Sequence, residues 1–89
     1  MQKFFSLTDI GATDAIPIDA DKQFTFAISG NGTVQAEVQL TDDPNAVWYV
    51  AQVCVSGTIY STVSGARAFR FNQTASSGAT IAEVSGAKL

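Results

Sequence analysis

The side chains able to do chemistry are few in this sequence. Histidine is absent and Cys54 is the one cysteine. Without an imidazole, the general base that works near neutral pH is missing, and the Cys54 thiol has no base to draw off its proton. Cys54 lies in the apolar run Val47 to Val55, where a lone thiol behaves as a small buried hydrophobe. Paired carboxylates can replace histidine in glycoside hydrolysis. Asp42 and Asp43, however, are neighbours in Thr41-Asp-Asp-Pro-Asn45, a turn in which solvated acids are ordinary. Asp19 and Asp21 alternate like the start of a calcium loop but lack its glycine and its distal glutamate. Ser29-Gly-Asn-Gly32 lacks the lysine and the following helix of a phosphate cradle and reads as a turn. One thiol and no histidine cannot make a zinc set. The expectation is a chain that is not an enzyme and holds no metal and no cofactor.

The remaining distinctive residues belong to surfaces. Trp48 and Tyr49 have the types of a stacking platform for a sugar or a base, but Trp48 stands mid-strand among valines and is expected in the core. Arg67 and Arg70 bracket Phe69 with opposite facing. Arg70 alternates with Phe69 and Phe71 and is expected to point outward, to a carboxylate on a partner or to solvent. Phe4, Phe5, Ile16 and Ile18 sit in a segment with little regular patterning and are expected to anchor it on a neighbour. These four, with Arg67 and Arg70, are the candidate interface.

The elements that position these residues are strands. Thr, Val, Ser, Gly and aromatic residues dominate, and no stretch has helical spacing. Lys3 to Leu7 reads as a short strand. Residues 8–21 read as an irregular arm, with Pro17 between Ile16 and Ile18 suited to an edge strand or an extended contact. Phe24, Phe26 and Ile28 alternate with polar or small residues, as do Val34, Ala36, Val38 and Leu40, and the glycine-rich turn between them predicts a hairpin. Val47 to Val55 is apolar on both faces, which demands cover on both sides or contact with a neighbouring subunit. Shorter strands follow over 57–63, around Phe69 and Phe71, and over 79–84. The expected fold is all-β: an antiparallel β-sandwich or small barrel of six to seven strands over residues 22–89, with an N-terminal strand and extended arm over 1–21. Phe24, Phe26, Val38, Trp48, Phe69 and Phe71 are the expected core.

The chain has 89 residues, room for one thin-cored domain. Such domains usually need a disulfide, a metal or other subunits. The first two are excluded by the residue counts, which leaves oligomerisation, although a well-packed sandwich can stand alone at this length. Charged residues are only 15% of the chain and hydrophobic ones 46%, so much of the surface is cheap to desolvate. Residues 1–43 carry seven acids against two lysines, a balance of −5, and residues 44–89 carry three cations against one acid, a balance of +2. This asymmetry would let subunits meet acidic end to basic end, or it is chance. An acidic chain is a poor binder of nucleic acid. The start Met1-Gln-Lys-Phe-Phe breaks at Ser6, Thr8 and Asp9, so no secretory h-region forms. No stretch is apolar enough for a membrane helix, and synthesis is expected in a cytoplasm.

The strand Gly32-Thr-Val-Gln-Ala-Glu-Val38, the turn Asp42-Asp-Pro-Asn45, the Val47-Trp48 strand, Gly65-Ala-Arg-Ala-Phe-Arg-Phe-Asn72, Ser76-Ser-Gly78 and the closing Ala79-Thr-Ile-Ala-Glu-Val84 form a layout. Over residues 24–86 this layout resembles that of small β-sandwich structural proteins of tailed bacteriophages. The resemblance implies a virion component, foremost a capsid decoration (cement) protein. Such a protein, often a trimer, sits on the outside of the assembled head, and its partner is the major capsid protein or another virion protein. Proteins of this layout also serve in tails, necks and fibre anchors. A carbohydrate-binding module using Trp48 or Tyr60 is a further alternative. The expected mechanism is mechanical, through surface buried across capsid junctions. Removal of residues 1–18 is expected to leave the sandwich folded.

Overall fold

A computed structural model describes residues 2–18, 23–63, 65–76 and 78–86. Nine strands follow one another: β1 (Gln2–Leu7), β2 (Gly11–Ala12), β3 (Ile16–Pro17), β4 (Gln23–Gly30), β5 (Thr33–Gln39), β6 (Tyr49–Cys54), β7 (Ile59–Val63), β8 (Ala68–Ala75) and β9 (Thr80–Gly86). They form two antiparallel sheets packed face to face. One has the order β1-β9-β4-β7; the other has the order β2-β8-β5-β6, with β3 also on β8. The all-β sandwich is as expected, with nine strands where six or seven were read and with both sheets left open, so no barrel closes.

The period-two patterns explain the core. β4 buries Phe24, Phe26 and Ile28, β5 buries Val34 and Ala36, β8 buries Phe69 and Phe71, and β9 buries Ala82 and Val84. The rings pack edge to face, with centroids 5.1 Å apart for Phe24 and Phe69 and 5.0 Å for Phe69 and Phe71, the geometry their quadrupoles favour. Val38 is half-buried against this cluster.

Two expectations fail here. The stretch 24–40 is no hairpin: β4 pairs with β9 and β7, while β5 pairs with β8 and β6. Both strands present an apolar stripe, and facing each other across the core buries both stripes, whereas side by side each would still need a cover. The turn between them therefore crosses from sheet to sheet. Gly30 there has φ of 115° and lies so close to Ala79 and Thr80 that a Cβ would collide with their backbone. Gly32 donates its N–H to Thr80 Oγ1 at 2.9 Å. β5 and β6 make the one hairpin of consecutive long strands among the described residues.

The N-terminal segment is the second correction. It is no arm. β1 pairs with β9 in unbroken register from Gln2↔Ser85 to Leu7↔Thr80. The chain then crosses to the other sheet, where residues 11–18 run along β8. Gly11 and Ala12 pair with Gln73 and Asn72, Ile16 and Pro17 with Phe69 and Ala68. Thr13 bridges the two short strands: its N–H donates to the Phe71 carbonyl at 2.8 Å and its Oγ1 accepts from the Phe71 N–H at 3.1 Å. The Ile18 N–H donates to the Arg67 carbonyl at 3.0 Å. Pro17 is tolerated because the outer side of this edge needs no donor. Residues 2–18 thus form one flank of the sandwich, with β1, β2 and β3 as its edge strands. The opposite flank is bounded by the edge strands β6 and β7.

Candidate interaction surface

The six candidate interface residues part company in the structure. Ile16 and Ile18 are 3% and 5% exposed and belong to the chain's own core. They are not anchors for a neighbour, because pairing with β8 turns both side chains inward beneath the second sheet. Phe5 is half-buried with its ring edge-on to Phe71 at 5.9 Å. Phe4, one residue on, faces out and is 64% exposed.

Both arginines are engaged within the chain. Arg67 Nη2 is 2.9 Å from Asp42 Oδ2, an exposed pair. Arg70 does lie on the outer side of its sheet, but it meets Glu37 of the neighbouring strand, Nε to Oε1 at 2.7 Å, and its guanidinium lies 4.3 Å from the centre of the Trp48 ring. Asn72 Nδ2 donates to the other Glu37 oxygen at 3.0 Å. Glu37 was missed as a site residue, because it reads as one more polar position in an alternating strand. Its signal was the register Glu37↔Arg70, which exists only once β5 and β8 are paired. Trp48 is half-buried under Arg70 and stands outside the core where it was expected. It precedes an edge strand whose outer face has no second layer. The acids of the 41–45 turn are also in use. Asp43 Oδ1 accepts from the Asn45 N–H at 2.7 Å, closing the turn, and Asp42 holds Arg67. Asp19 and Asp21 lie outside the described residues. Among the described residues no three His, Cys, Asp or Glu side chains gather as a metal site would require.

Of the rings weighed as a sugar platform, Tyr49 is exposed and Trp48 and Tyr60 are engaged within the chain. Arg70 covers Trp48, and Tyr60 stacks on Phe26 at 5.5 Å while its hydroxyl accepts the Val55 N–H at 3.0 Å.

What remains exposed and apolar is concentrated on the open flank. Val47, Tyr49, Val50, Val53 and Val55, in and beside β6, are each more than half exposed. Leu40 and Ile59 flank them, and Ile59 is 72% exposed. β6 pairs with β5, with a bulge opposite Ala36 and Glu37, and among the described residues no strand pairs with its other edge; the Val53 carbonyl accepts from Gln52 Nε2 at 2.9 Å. Between β6 and β7 a cleft of about 410 Å³ reaches the core, lined by Phe24, Phe26, Val38, Leu40, Tyr60 and Phe69 among others. No charged residue occurs from Pro44 to Ala66, the whole span that forms this flank.

No family model, curated protein or solved structure matches this chain. The flank is therefore read on its own chemistry. From Pro44 to Ala66 it carries no charged side chain. Cys54, at the end of β6, points into the core, where burial pushes its thiol above the ordinary value, partly offset by a backbone hydrogen bond from Ala36. An uncharged strand edge with large aliphatic side chains leaves a continuous apolar surface exposed.

Proposed function

We propose that this chain is a non-enzymatic structural protein that works by docking its uncharged apolar flank on other protein surfaces. Its proposed station, from the resemblance of its sequence layout to small tailed-phage β-sandwich proteins, is the outside of the phage head, as a decoration protein bridging capsid subunits. The observation that carries the reading is the exposed edge β6. Natural edge strands are usually protected by lysine, proline, inward charge or a covering loop. Apart from one bulge, β6 has none of these, and large apolar residues on an unprotected edge mark a surface that is covered in use. Burial of such a surface stabilises by roughly 25 cal/mol per Å², less the cost of immobilising the subunit. Repetition over a shell multiplies a modest single contact.

The test has two arms. Quantitative mass spectrometry of purified particles that contain the chain is expected to find hundreds of copies, the number a shell requires. A dozen or fewer would move the station to the tail or neck. Heads stripped of the chain are expected to rebind it and to regain resistance to heat, and Val50→Lys with Val53→Lys is expected to abolish rebinding. Rebinding unchanged by both substitutions would remove the flank from the function.

A further inference from the structure

We propose that the partner of the β6 edge is a second copy of this chain, with the two β6 strands antiparallel about a two-fold axis so that the five-stranded sheets merge into one. The inference rests on the docking role proposed above and names the occupant of that same flank.

Three observations favour a copy over a foreign surface. The first is charge. A two-fold sets a patch against itself, so every charge in it meets its own sign. The chain has net charge −3, yet the flank carries no charge from Pro44 to Ala66. All eight acids and all five basic residues lie outside that span, so self-pairing brings no like charges into contact. A flank shaped for a charged partner would instead show complementary side chains.

The second is area. Five large apolar residues over 47–55, each more than half exposed, amount to on the order of 500 Å² per copy, and two copies reach about 1,000 Å², the lower bound for a specific interface. Leu40 and Ile59 add to this. The surface is of the size that one copy of itself satisfies.

The third is topology. The sheet that ends in β6 is four strands across, β2-β8-β5-β6. Joining two at β6 gives eight across, within the range twisted open sheets reach. A two-fold contact uses the same edge on both copies, so it closes as a pair and does not propagate into a fibre. Backbone hydrogen bonds of the joined edge supply register, and Val50 and Val53 supply the side-chain contacts on the outer face beside Gln35 and Glu37.

The experiment is sedimentation of the full chain across a concentration series, with hydrogen exchange at both ends of the series. The expected result is a reversible monomer–dimer equilibrium, with slowed amide exchange at high concentration confined to 49–54 and the adjoining turn. Val53→Lys and, separately, Val50→Lys are expected to weaken the dimer at least about tenfold, a change of 1.4 kcal/mol. Both side chains are exposed, and unchanged circular dichroism and thermal midpoint establish that each variant is folded. Phe4→Lys, exposed on β1 at the opposite flank, is the control and is expected to leave the dimer intact. A trimer, a dimer indifferent to both β6 lysines, or protection elsewhere than β6 overturns the proposal. So does a monomer at all concentrations. If that monomer still binds phage heads in a β6-dependent way, the docking role stands and only the identity of the partner is wrong. If it binds nothing, both fall.

Discussion

At the scale of single residues, Glu37 and Arg70 carry the strongest prediction. Glu37 is buried on the outer side of its sheet because Arg70, Asn72 and Trp48 cover it. Arg70→Ala leaves a carboxylate without its charged donor, and a loss of about 2–3 kcal/mol in urea unfolding is expected, the range for hydrogen bonds to charged groups. Arg67→Ala breaks an exposed pair and is expected to cost less than about 1 kcal/mol. Trp48 is the only tryptophan, so its emission reports directly. It shifts to longer wavelength when Arg70 is removed and stays put when Arg67 is. Cys54 gives the pH dependence. Its raised pKa means that the fold favours the neutral thiol. That contribution is complete below the ordinary thiol value and is lost as pH rises through the folded value. The stability difference between the native chain and Cys54→Ala is therefore expected to narrow above about pH 8.5, measured by denaturant midpoints at a series of pH values.

At the scale of elements, the segment 2–18 decides what a truncation does. Removing residues 1–18 strips β1 from β9 and β2 and β3 from β8 and takes Ile16 and Ile18 out of the core. The remainder is expected to lose its cooperative thermal transition, the reverse of what a detachable arm would show. Ile16→Ala alone is expected to cost about 2–5 kcal/mol, the range for deleting a buried aliphatic side chain, read from denaturant unfolding. Pro17 at an edge and the period-two stripes of β4, β5, β8 and β9 were legible from composition and spacing. The pairing of 2–18 was not. β2 and β3 are two residues each, too short to leave a periodic signal, and the Thr13 hydroxyl that joins them replaces a backbone bond that no pattern encodes.

At the scale of the whole molecule, the charge asymmetry between the halves is resolved within one chain. Arg67 reaches back to Asp42 and Arg70 to Glu37, each a cation of the second half on an acid of the first. Both arginines are thereby engaged within the chain, and neither is left to draw subunits together end to end. Association through the uncharged flank is accordingly expected to be insensitive to ionic strength, or slightly strengthened by sulfate. Light scattering between roughly 0.05 and 0.5 M salt, over which the screening length falls about threefold, checks this. A steep loss of association with sodium chloride would point to charged contacts instead.

The sequence by itself determined the class of the fold, the four core phenylalanines Phe24, Phe26, Phe69 and Phe71, though not the place of Trp48, and the shortage of groups able to catalyse or to ligate. It also singled out the run 47–55 as too apolar to be left alone. These are properties of local alternation and of composition, which survive without knowledge of any distant contact. The tertiary structure alone decided which strands are neighbours. That choice turned an expected hairpin into a crossing between sheets, folded an expected arm into the core, brought Glu37 under Arg70 and left β6 at an edge. Pairing joins residues far apart along the chain, and its free energy depends on which stripes can cover one another, so no window of sequence contains it.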